Sequence, residues 1–396
     1  MIYFDNAATS PVLPQVVELV DKILLEDWGN ASSLHKMGFR AQKYINYAEE
    51  VLARGLGVKK SELIFTSGAS ESNNMAIKGL AGGKKGKNIL ISSVEHASVS
   101  KTAEFAENEG LEVRWLAANA YGTISPEEVK SKLDDNTIMV SLMHVNNELG
   151  TIEPIFEIGD LIKSINPGTI FHVDGTQAFG KFNLKLGKAC IDSYAASAHK
   201  IHGPKGVGLL YVKDGINYPP LVLGGGQQRN RRSGTENVAF IGAMAKAFEL
   251  MEEFREKEPR KIYEINLACR ARIKDMAERL GGIRINSPRL AEEEMVQGED
   301  YASPYILNIG IEGIKAEVLL HMLEEDDMYV SSGSACSKGK LSPMAKACNM
   351  DESYTDGLIR LSFLTENDLS QVDPFFDKLE EGIEMIRSIK GWKRKD

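Results

Sequence analysis

The chain has 396 residues, of which 43% are hydrophobic and 26% are charged. This composition is typical of a soluble globular protein, and the length gives room for a large core and two domains. The formal net charge of −9 argues against a general binder of nucleic acid or of anionic membranes. No apolar run is long enough to span a bilayer and no secretory signal is visible, so we expect a cytoplasmic protein.

The four cysteines are widely spaced and form no C-x-x-C pair: Cys190, Cys269, Cys336 and Cys348. This spacing predicts neither a zinc ribbon nor a disulfide framework. The seven histidines include no H-E-x-x-H motif, so we expect no metal site. We interpret three of the cysteines as small hydrophobic residues and Cys336 as the exception, for reasons given below.

Short apolar runs alternate with helical segments through the first half of the chain. Residues 4–9 are predicted to form a short strand that runs into a turn. Further strands are predicted at residues 62–66, 88–93, 138–145 and 169–173. Alternating strands and helices form βαβ units, so we expect an α/β fold with a mostly parallel sheet. Such a sheet binds its ligands at the carboxyl ends of the strands.

The strand at residues 62–66 is followed by the sequence SGASESNN, which opens a helix. A strand, a glycine turn and small hydroxyl residues at a helix start bring free backbone N–H groups together on an anion such as phosphate. The alternative is a simple serine cap of the helix. Because the sequence lacks G-x-x-x-x-G-K-[ST], the motif is not an ATP loop.

Polar residues also follow the next two predicted strands. His96 comes just after residues 88–93, and Asn147 comes just after residues 138–145. A histidine at the carboxyl end of a strand can lie against a flat ring, although a lone histidine is more often a satisfied structural residue. The neutral amide of Asn147 suits the wall of a site.

The stretch at residues 171–208 contains an acid and a lysine in unusual surroundings. Asp174 ends an apolar run, and Lys200 follows the small residues of YAASAH and precedes a Gly-Pro break. Small apolar neighbours desolvate a lysine, which favours the neutral amine and makes it a nucleophile towards an aldehyde. A carboxylate that ends a buried strand can keep a pyridine nitrogen protonated, as pyridoxal 5'-phosphate requires. The alternative for Lys200 is an ordinary exposed lysine.

The second half of the chain contains a glycine- and arginine-rich loop and a long helical region. The loop, at residues 223–235, lacks the interleaved aromatic residues of a nucleic-acid patch. A helical pattern covers residues 237–280 and is interrupted by Pro259, where we expect a kink or a break. We expect this region to lead from a large domain, residues 13–255, into a smaller domain. That small domain comprises residues 1–12 and 256–396.

Two residues of the small domain are chemically distinctive. Cys336 lies in SSGSACSKGK, which is too rich in serine and glycine to pack tightly, and the two lysines that follow favour its thiolate. The alternative is an incidental loop cysteine. Arg360 lies inside the apolar strand LIRLS. A buried arginine needs an anion, and its planar fork suits the carboxylate of a substrate, with a structural ion pair as the alternative.

Three motifs together, HVDGTQ, SAHKIHGPKG and SSGSACSKGK, resemble those of the cysteine desulfurases of the NifS/IscS type. These are class V aminotransferases of pyridoxal-phosphate (PLP) fold type I, and SSGSAC is similar to the motif of their first group. Matching motifs extend from residues 4–9 to residues 360–362, nearly the whole chain. The resemblance implies a large domain with a mostly parallel seven-stranded sheet and a smaller α+β carboxyl-terminal domain.

The resemblance also implies a role for each candidate site residue. Lys200 would carry pyridoxal 5'-phosphate, and Asp174 would hold the proton on its ring nitrogen. His96 would stack on the ring and take part in acid–base chemistry. Asn147 and Gln177 would lie near the phenolic oxygen. The phosphate contacts would be Ala69, Ser70, Ser197, His199 and, across the interface of a homodimer, the partner's Thr235.

The activity implied is removal of sulfur from L-cysteine, which gives L-alanine and a persulfide on Cys336. Arg360 and Asn147 would bind the substrate. The sulfur would pass to an acceptor such as an iron–sulfur scaffold or a tRNA-thiolation protein. The alternatives are a lyase for selenocysteine or cysteine sulfinate, another class V aminotransferase, or a non-catalytic assembly subunit. The family pattern is altered at Ala31, at Ser70 and in the stretch at residues 363–366.

Overall fold

The computed structural model describes residues 1–80, 87–290, 301–332 and 342–392. Fifteen strands lie in these ranges: β1 (Ile2–Tyr3), β2 (Leu63–Thr66), β3 (Asn88–Ser92), β4 (Glu112–Leu116), β5 (Thr137–Met143), β6 (Ile170–Asp174), β7 (Ser193–Ser197), β8 (Gly208–Val212), β9 (Ile283–Ile285), β10 (Arg289–Leu290), β11 (Tyr301–Ala302), β12 (Ile306–Ile311), β13 (Met328–Tyr329), β14 (Ser331–Ser332) and β15 (Leu358–Ser362).

Thirteen helical segments lie in the described part of the chain: α1 (Pro14–Glu26), α2 (Lys36–Leu56), α3 (Ala69–Asn74), α4 (Ala97–Asn108), α5 (Pro126–Lys132), α6 (Ile155–Ile165), α7 (Gln227–Asn230), α8 (Val238–Lys257), α9 (Lys261–Leu280), α10 (Ala316–Glu324), α11 (Pro343–Ala347), α12 (Glu352–Thr355) and α13 (Val372–Lys390). A π-helical stretch, Met75–Leu80, continues α3. α7 is a single turn in which Gln228 and Arg229 have left-handed backbone angles.

The central sheet has seven strands in the order β2-β8-β7-β6-β5-β3-β4. β8 runs antiparallel to both of its neighbours, and all the other pairs are parallel. Consecutive residues of β3, β7 and β8 are all buried, so these strands are covered on both faces. The structure therefore confirms the predicted seven-stranded, mostly parallel sheet.

A second, smaller sheet has the order β14-β15-β12-β9 and is antiparallel throughout. Helices α9 and α10 contact this sheet, and α13 packs against both of these helices. In this sheet Arg360 on β15 pairs with Asn308 on one side and with Ser331 on the other. Strands and helices are thus mixed after α8, as an α+β domain requires. The domain boundaries at residues 12/13 and 255/256 remain predictions.

The amino-terminal segment differs from its prediction. Only Ile2–Tyr3 forms a strand, paired in parallel with β13, and the strand predicted within residues 4–9 is wrong. The N–H groups of Ala8 and Thr9 both point back to the carbonyl oxygen of Asp5, at 3.0 and 3.5 Å. The backbone therefore forms the turn alone, and this turn lies against the end of β15.

The predicted interruption of the long helical region is confirmed. α8 ends at Lys257 and α9 begins at Lys261, with Pro259 between them. Proline lacks a backbone N–H and clashes with the preceding turn, so a helix cannot run through it undisturbed. Among the helices of the described ranges, none combines the length and the apolar character that a membrane crossing needs.

Gly175 fixes the end of β6, where Asp174 lies. A Cβ atom on Gly175 would lie 1.8 Å from Cζ of Tyr194, whose ring is fully buried in β7. The Tyr194 hydroxyl is held in turn by Nδ1 of His144 at 3.1 Å. Only a residue without a side chain lets β6 and β7 end side by side in this way.

We expect Gly175→Ala to lower the free energy of unfolding by about 1–3 kcal/mol, because either Tyr194 or the end of β6 must move. Asp174 would move with the end of the strand. Gly168→Ala is the matched control, because its Cβ would lie no closer than 3.4 Å to a neighbour. Urea unfolding of the two variants measures the difference. Equal stability of Gly175→Ala and the parent chain would show that this close contact does not fix the strand end.

Candidate active site

A cavity of about 340 Å³ lies at the carboxyl ends of the parallel strands. Its lining contains every predicted site residue except two: Ala69, Ser70, His96, Asn147, Asp174, Gln177, Ser197, His199, Lys200 and Arg360. Of the two exceptions, Thr235 is exposed and does not line the cavity of its own chain, whereas Cys336 lies outside the described residues. The strand ends of β3, β5, β6 and β7 thus bring together residues that are far apart in the sequence.

Asp174 is the last residue of β6 and is buried. Its Oδ2 accepts a hydrogen bond from Nδ2 of Asn73 at 2.8 Å. Its Oδ1 accepts from the backbone N–H and from the hydroxyl of Thr176, at 3.0 and 2.5 Å. These donors fix the carboxylate at the cavity wall and offset the cost of burying its charge.

A buried histidine supports Asn73 from behind. His172 Nε2 lies 3.0 Å from Oδ1 of Asn73, and His172 Nδ1 lies 2.7 Å from Oγ of Ser193. Burial lowers the pKa of His172 to about 4, although the Asp174 carboxylate acts in the opposite direction. The imidazole is therefore neutral at physiological pH.

Lys200 ends a short 3-10 turn, Ala198–Lys200, that follows β7. Its Nζ donates to the carbonyl oxygens of Ala7 and Ala8, at 2.5 and 2.7 Å. Desolvation lowers the pKa of Lys200 to about 8, and the Arg360 charge lowers it further, while Asp5 and Asp174 act against the shift. A substantial fraction of the amine is therefore neutral near physiological pH, as a nucleophile or base requires.

Four small or neutral groups form the end of the cavity where α3 begins. The N–H of Ala69, the first residue of α3, donates to Oγ of Ser197 at 2.8 Å. Ser70 is exposed, and Nδ1 of His199 lies 3.2 Å from Oγ1 of Thr9. Burial lowers the pKa of His199 to about 4, and the nearby lysines lower it further. This end offers hydroxyl, backbone and imidazole groups without a carboxylate, a set that accepts an anion.

Gln177 and His96 both line the cavity. Nε2 of Gln177 donates to the carbonyl oxygen of Ala7 at 2.9 Å, and its Oε1 accepts from Nζ of Lys181 at 3.2 Å. His96 caps α4, because its Nδ1 accepts from the N–H of Ser98 at 3.1 Å. Both side chains are therefore oriented by hydrogen bonds before any ligand enters.

Arg360 is 8% exposed and lies on β15, at the side of the cavity formed by the smaller sheet. Its Nη2 donates to Oδ1 of Asp5 at 2.9 Å, and its Nη1 donates to the backbone oxygen of Asn147 at 2.8 Å. Its Nε is buried and has no hydrogen-bond partner among the described residues. The structural ion pair considered for this arginine is therefore present, and the guanidinium still has N–H groups for a further acceptor.

Sequence reasoning missed the groups that orient the site residues. Asp5, Ala7 and Ala8 hold the two cations of the cavity, but residues 4–9 were interpreted only as a strand and a turn. Lys181 was also missed, although it follows Gln177 by one helical turn and is fully buried. Burial and the charges of Lys200 and Arg360 lower the pKa of Lys181 to about 7. A lysine inside the apolar stretch AFGKF was the available signal for Lys181, whereas Asp5, Ala7 and Ala8 gave no local signal.

The residues of this cavity fit pyridoxal 5'-phosphate. A fixed buried carboxylate suits a protonated ring nitrogen, a partly neutral lysine suits an aldehyde, and the end at α3 suits a phosphate. The three features lie in one cavity and are contributed by different strand ends. This arrangement supports amino-group chemistry on a small carboxylate substrate.

Comparison with known proteins places the chain in a family. Residues 2–375 match the family model described as aminotransferase class V. The chain is 42% identical to a "NifS/IcsS protein homolog" of Lactobacillus delbrueckii subsp. bulgaricus, over 96% of this chain and 97% of that protein. It is 37% identical to a cysteine desulfurase IscS of Dictyoglomus turgidum, over 99% of this chain and 97% of that protein.

A solved structure of a NifS-like protein superimposes with a TM-score of 0.89 at 32% sequence identity, covering 97% of this chain and 99% of that one. The similarity thus extends over both sheets and the cavity between them. The chain belongs to the class V aminotransferase family and, within it, to the cysteine desulfurases of the NifS/IscS type.

Proposed function

We propose that this chain is a pyridoxal-phosphate-dependent cysteine desulfurase that converts L-cysteine to L-alanine and leaves the sulfur as a persulfide on Cys336. The observation that supports this most strongly is that Lys200, Asp174 and Arg360 line one cavity. An amine, a fixed carboxylate and a guanidinium are what the chemistry of an amino-acid substrate on this cofactor needs. Relatives named cysteine desulfurase match nearly the whole chain.

Seven residues would hold the cofactor within this chain. Asp174 would bind the ring nitrogen, His96 would lie on the ring face, and Gln177 would reach the phenolic oxygen. The phosphate would be held at the start of α3 by Ala69 and Ser70 together with Ser197 and His199. When bound, pyridoxal phosphate supplies an aldehyde for Lys200 and an electron sink for the substrate.

We assign Lys200 as the base that removes the α-proton of the substrate. Its neutral fraction rises as the pH increases through about 8, where burial places its pKa. The carbonyl oxygens of Ala7 and Ala8 keep the amine at the cavity wall. His96 is the second group placed to move a proton, because its ring lies at the cavity and is oriented by Ser98.

Arg360 would bind the substrate carboxylate, with Asn147 beside it. The guanidinium lies at the cavity, and each of its two Nη atoms, which donates once within the chain, has a second hydrogen to donate. Charge-assisted hydrogen bonds to a planar fork are stronger and more directional than those to a lysine ammonium. The arginine would therefore fix the α-carbon of the substrate relative to Lys200.

The thiolate of Cys336 would attack the sulfur of the substrate. The S–S bond of a persulfide forms as the Cβ–S bond breaks, and protonation of the carbon skeleton gives L-alanine. Cys336 comes four residues after Ser332, and four residues span at most about 14 Å. The neighbouring Ser331 pairs with Arg360 in the smaller sheet, which supports a thiol within reach of the cavity.

We also propose that the enzyme works as a homodimer. Thr235 is exposed and lies outside the cavity of its own chain, so its phosphate contact would have to be made across an interface. The same loop is anchored near α3, because Nε of Arg232 donates to Oε1 of Glu71 at 2.8 Å. Leu223, at the start of the loop, is 81% exposed, as is expected of a residue covered by a partner.

Cytoplasmic location and delivery of the sulfur to an acceptor protein complete the proposal. Iron–sulfur scaffolds and tRNA-thiolation proteins are the acceptor classes that the family suggests. The stretch at residues 363–366 differs from the family pattern, so the contacts of relatives with their partners do not transfer to this chain residue by residue.

Cys336→Ala should retain the visible absorbance of bound pyridoxal phosphate but lose alanine formation from L-cysteine by about a hundredfold or more, because the sulfur then has no acceptor. Cys190→Ala is the control, since Cys190 is another cysteine that is not fully buried. Alanine release measured with both variants decides the point. Rapid turnover by Cys336→Ala would refute the nucleophile and favour a lyase for selenocysteine or cysteine sulfinate.

Thr235→Ala should weaken retention of pyridoxal phosphate by about tenfold while the protein remains dimeric, since one hydroxyl contact to the phosphate is lost. Serine at this position should restore retention because it keeps the hydroxyl. Sedimentation velocity and cofactor release on dilution measure the two properties. A monomeric holoenzyme, or unchanged retention in Thr235→Ala, would contradict the shared site.

A further inference from the structure

The arginine assigned to the substrate carboxylate already holds a carboxylate of its own chain. Asp5 Oδ1 lies 2.9 Å from Nη2 of Arg360. Among the described residues, no other carboxylate oxygen lies within 4.0 Å of this guanidinium. Arg360 lines the cavity, and partial burial of the pair strengthens the interaction between the two charges. A substrate carboxylate must therefore approach a guanidinium whose charge is already compensated.

The backbone holds Asp5 in this position from both sides. Asp5 forms a bridge with Ser362 on β15, and the N–H of Ala7 donates to Oγ of Ser362 at 2.8 Å. On the other side, the carbonyl oxygens of Ala7 and Ala8 bind Nζ of Lys200. These contacts fix the backbone of Asp5 beside Arg360, so its carboxylate starts within reach of the guanidinium.

We propose that Asp5 is the internal counter-ion of Arg360, that the substrate carboxylate has to share the guanidinium with it, and that Asp5 takes up a proton when the substrate binds. Asp5 is then a positioning residue that sets the affinity for the carboxylate group of the substrate. The inference rests on the proposed role of Arg360. In this proposal Asp5 is a second ionisable group that takes part, beside Arg360, in binding the substrate carboxylate.

The direction of the pH effect follows from the surroundings of Asp5. Burial raises the pKa of Asp5, although Arg360 and Lys200 act against the shift. A second carboxylate on Arg360 raises the pKa of Asp5 further, so the complex holds more protons than the free enzyme. Affinity for a carboxylate ligand therefore falls as the pH rises through the interval between the free and bound pKa values of Asp5.

The other ionisable groups around this pair must be separated from Asp5. Tyr3 lies on the same segment, and Asp5 contributes to raising the pKa of its phenol. Glu148 lies near Arg360, and burial raises the pKa of its carboxyl group to about 7, against the effect of the arginine. Glu148 is the group that could imitate the proposed behaviour. Glu148→Gln is therefore the matched control for Asp5→Asn.

The test compares L-alanine with ethylamine, which lacks only the carboxylate. Dissociation constants for both ligands come from the visible absorbance of the holoenzyme. Their ratio, ethylamine over L-alanine, is the carboxylate preference. Asp5→Asn removes the competing charge and keeps an oxygen for Arg360, so it should raise this preference by about tenfold. The dissociation constant of Asp5→Asn for ethylamine should not change. Glu148→Gln should change the preference less.

Proton uptake gives an independent measurement on the parent enzyme. In weakly buffered indicator solution, the enzyme should take up more protons when it binds L-alanine than when it binds ethylamine. This excess should vanish in Asp5→Asn but persist in Glu148→Gln. An unchanged or lowered carboxylate preference in Asp5→Asn overturns the proposal. Loss of the excess proton uptake in Glu148→Gln also overturns it. If Asp5→Asn does not fold, the absence of excess proton uptake in the parent enzyme is by itself enough to overturn the proposal. Alanine formation from L-cysteine tests the proposed function separately, since neither ligand here is desulfurated.

Discussion

Two cations face one cavity in this protein, and both are held by the same short turn at the amino terminus. The carbonyl oxygens of Ala7 and Ala8 accept hydrogen bonds from Lys200, while the carboxylate of Asp5 pairs with Arg360. Without these acceptors, a lysine and an arginine would repel each other in a partly desolvated space. The turn therefore connects Lys200, at the end of the central sheet, to Arg360 in the smaller sheet, and the site depends on this connection.

The central sheet supplies the other constraint. Its parallel strands end at one edge, so β3, β5, β6 and β7 deliver His96, Asn147, Asp174 and Lys200 to the same cavity. Hydrogen bonds to neighbouring groups then orient His96, Asp174 and Lys200. The donors on the Asp174 carboxylate offset the cost of burying it, whereas desolvation makes the amine of Lys200 partly neutral.

Much of this arrangement could be predicted from local sequence. The strands of the central sheet, the break at Pro259 and the candidate residues at strand ends follow from apolar runs, from proline chemistry and from the topology of parallel sheets. Asp174 and Lys200 were recognisable because each is an ionisable residue next to a buried segment. Arg360 was recognisable for the same reason, inside an apolar strand.

The partners of these residues could not be predicted in that way. Asp5 and Arg360 are 355 positions apart, so their contact depends on the pairing of whole elements and leaves no local pattern. The acceptors for Lys200 are backbone oxygens, which any residue carries. For the same reason residues 4–9 were expected to begin as a strand, although their N–H groups turn back to Asp5. The contacts of Thr235 and Cys336 remain predictions.

The proposed chemistry depends most on a partly neutral Lys200 in this cavity, and the pKa of its amine can be measured directly. The chain stripped of cofactor would be labelled with an amine-reactive reagent over a range of pH, and the modification of Lys200 followed by mass spectrometry against the exposed Lys22. Because the neutral amine is the reactive form, labelling should increase with pH and reach half its maximum near 8. A midpoint near 10.5, the ordinary value for a solvated lysine, would contradict the account.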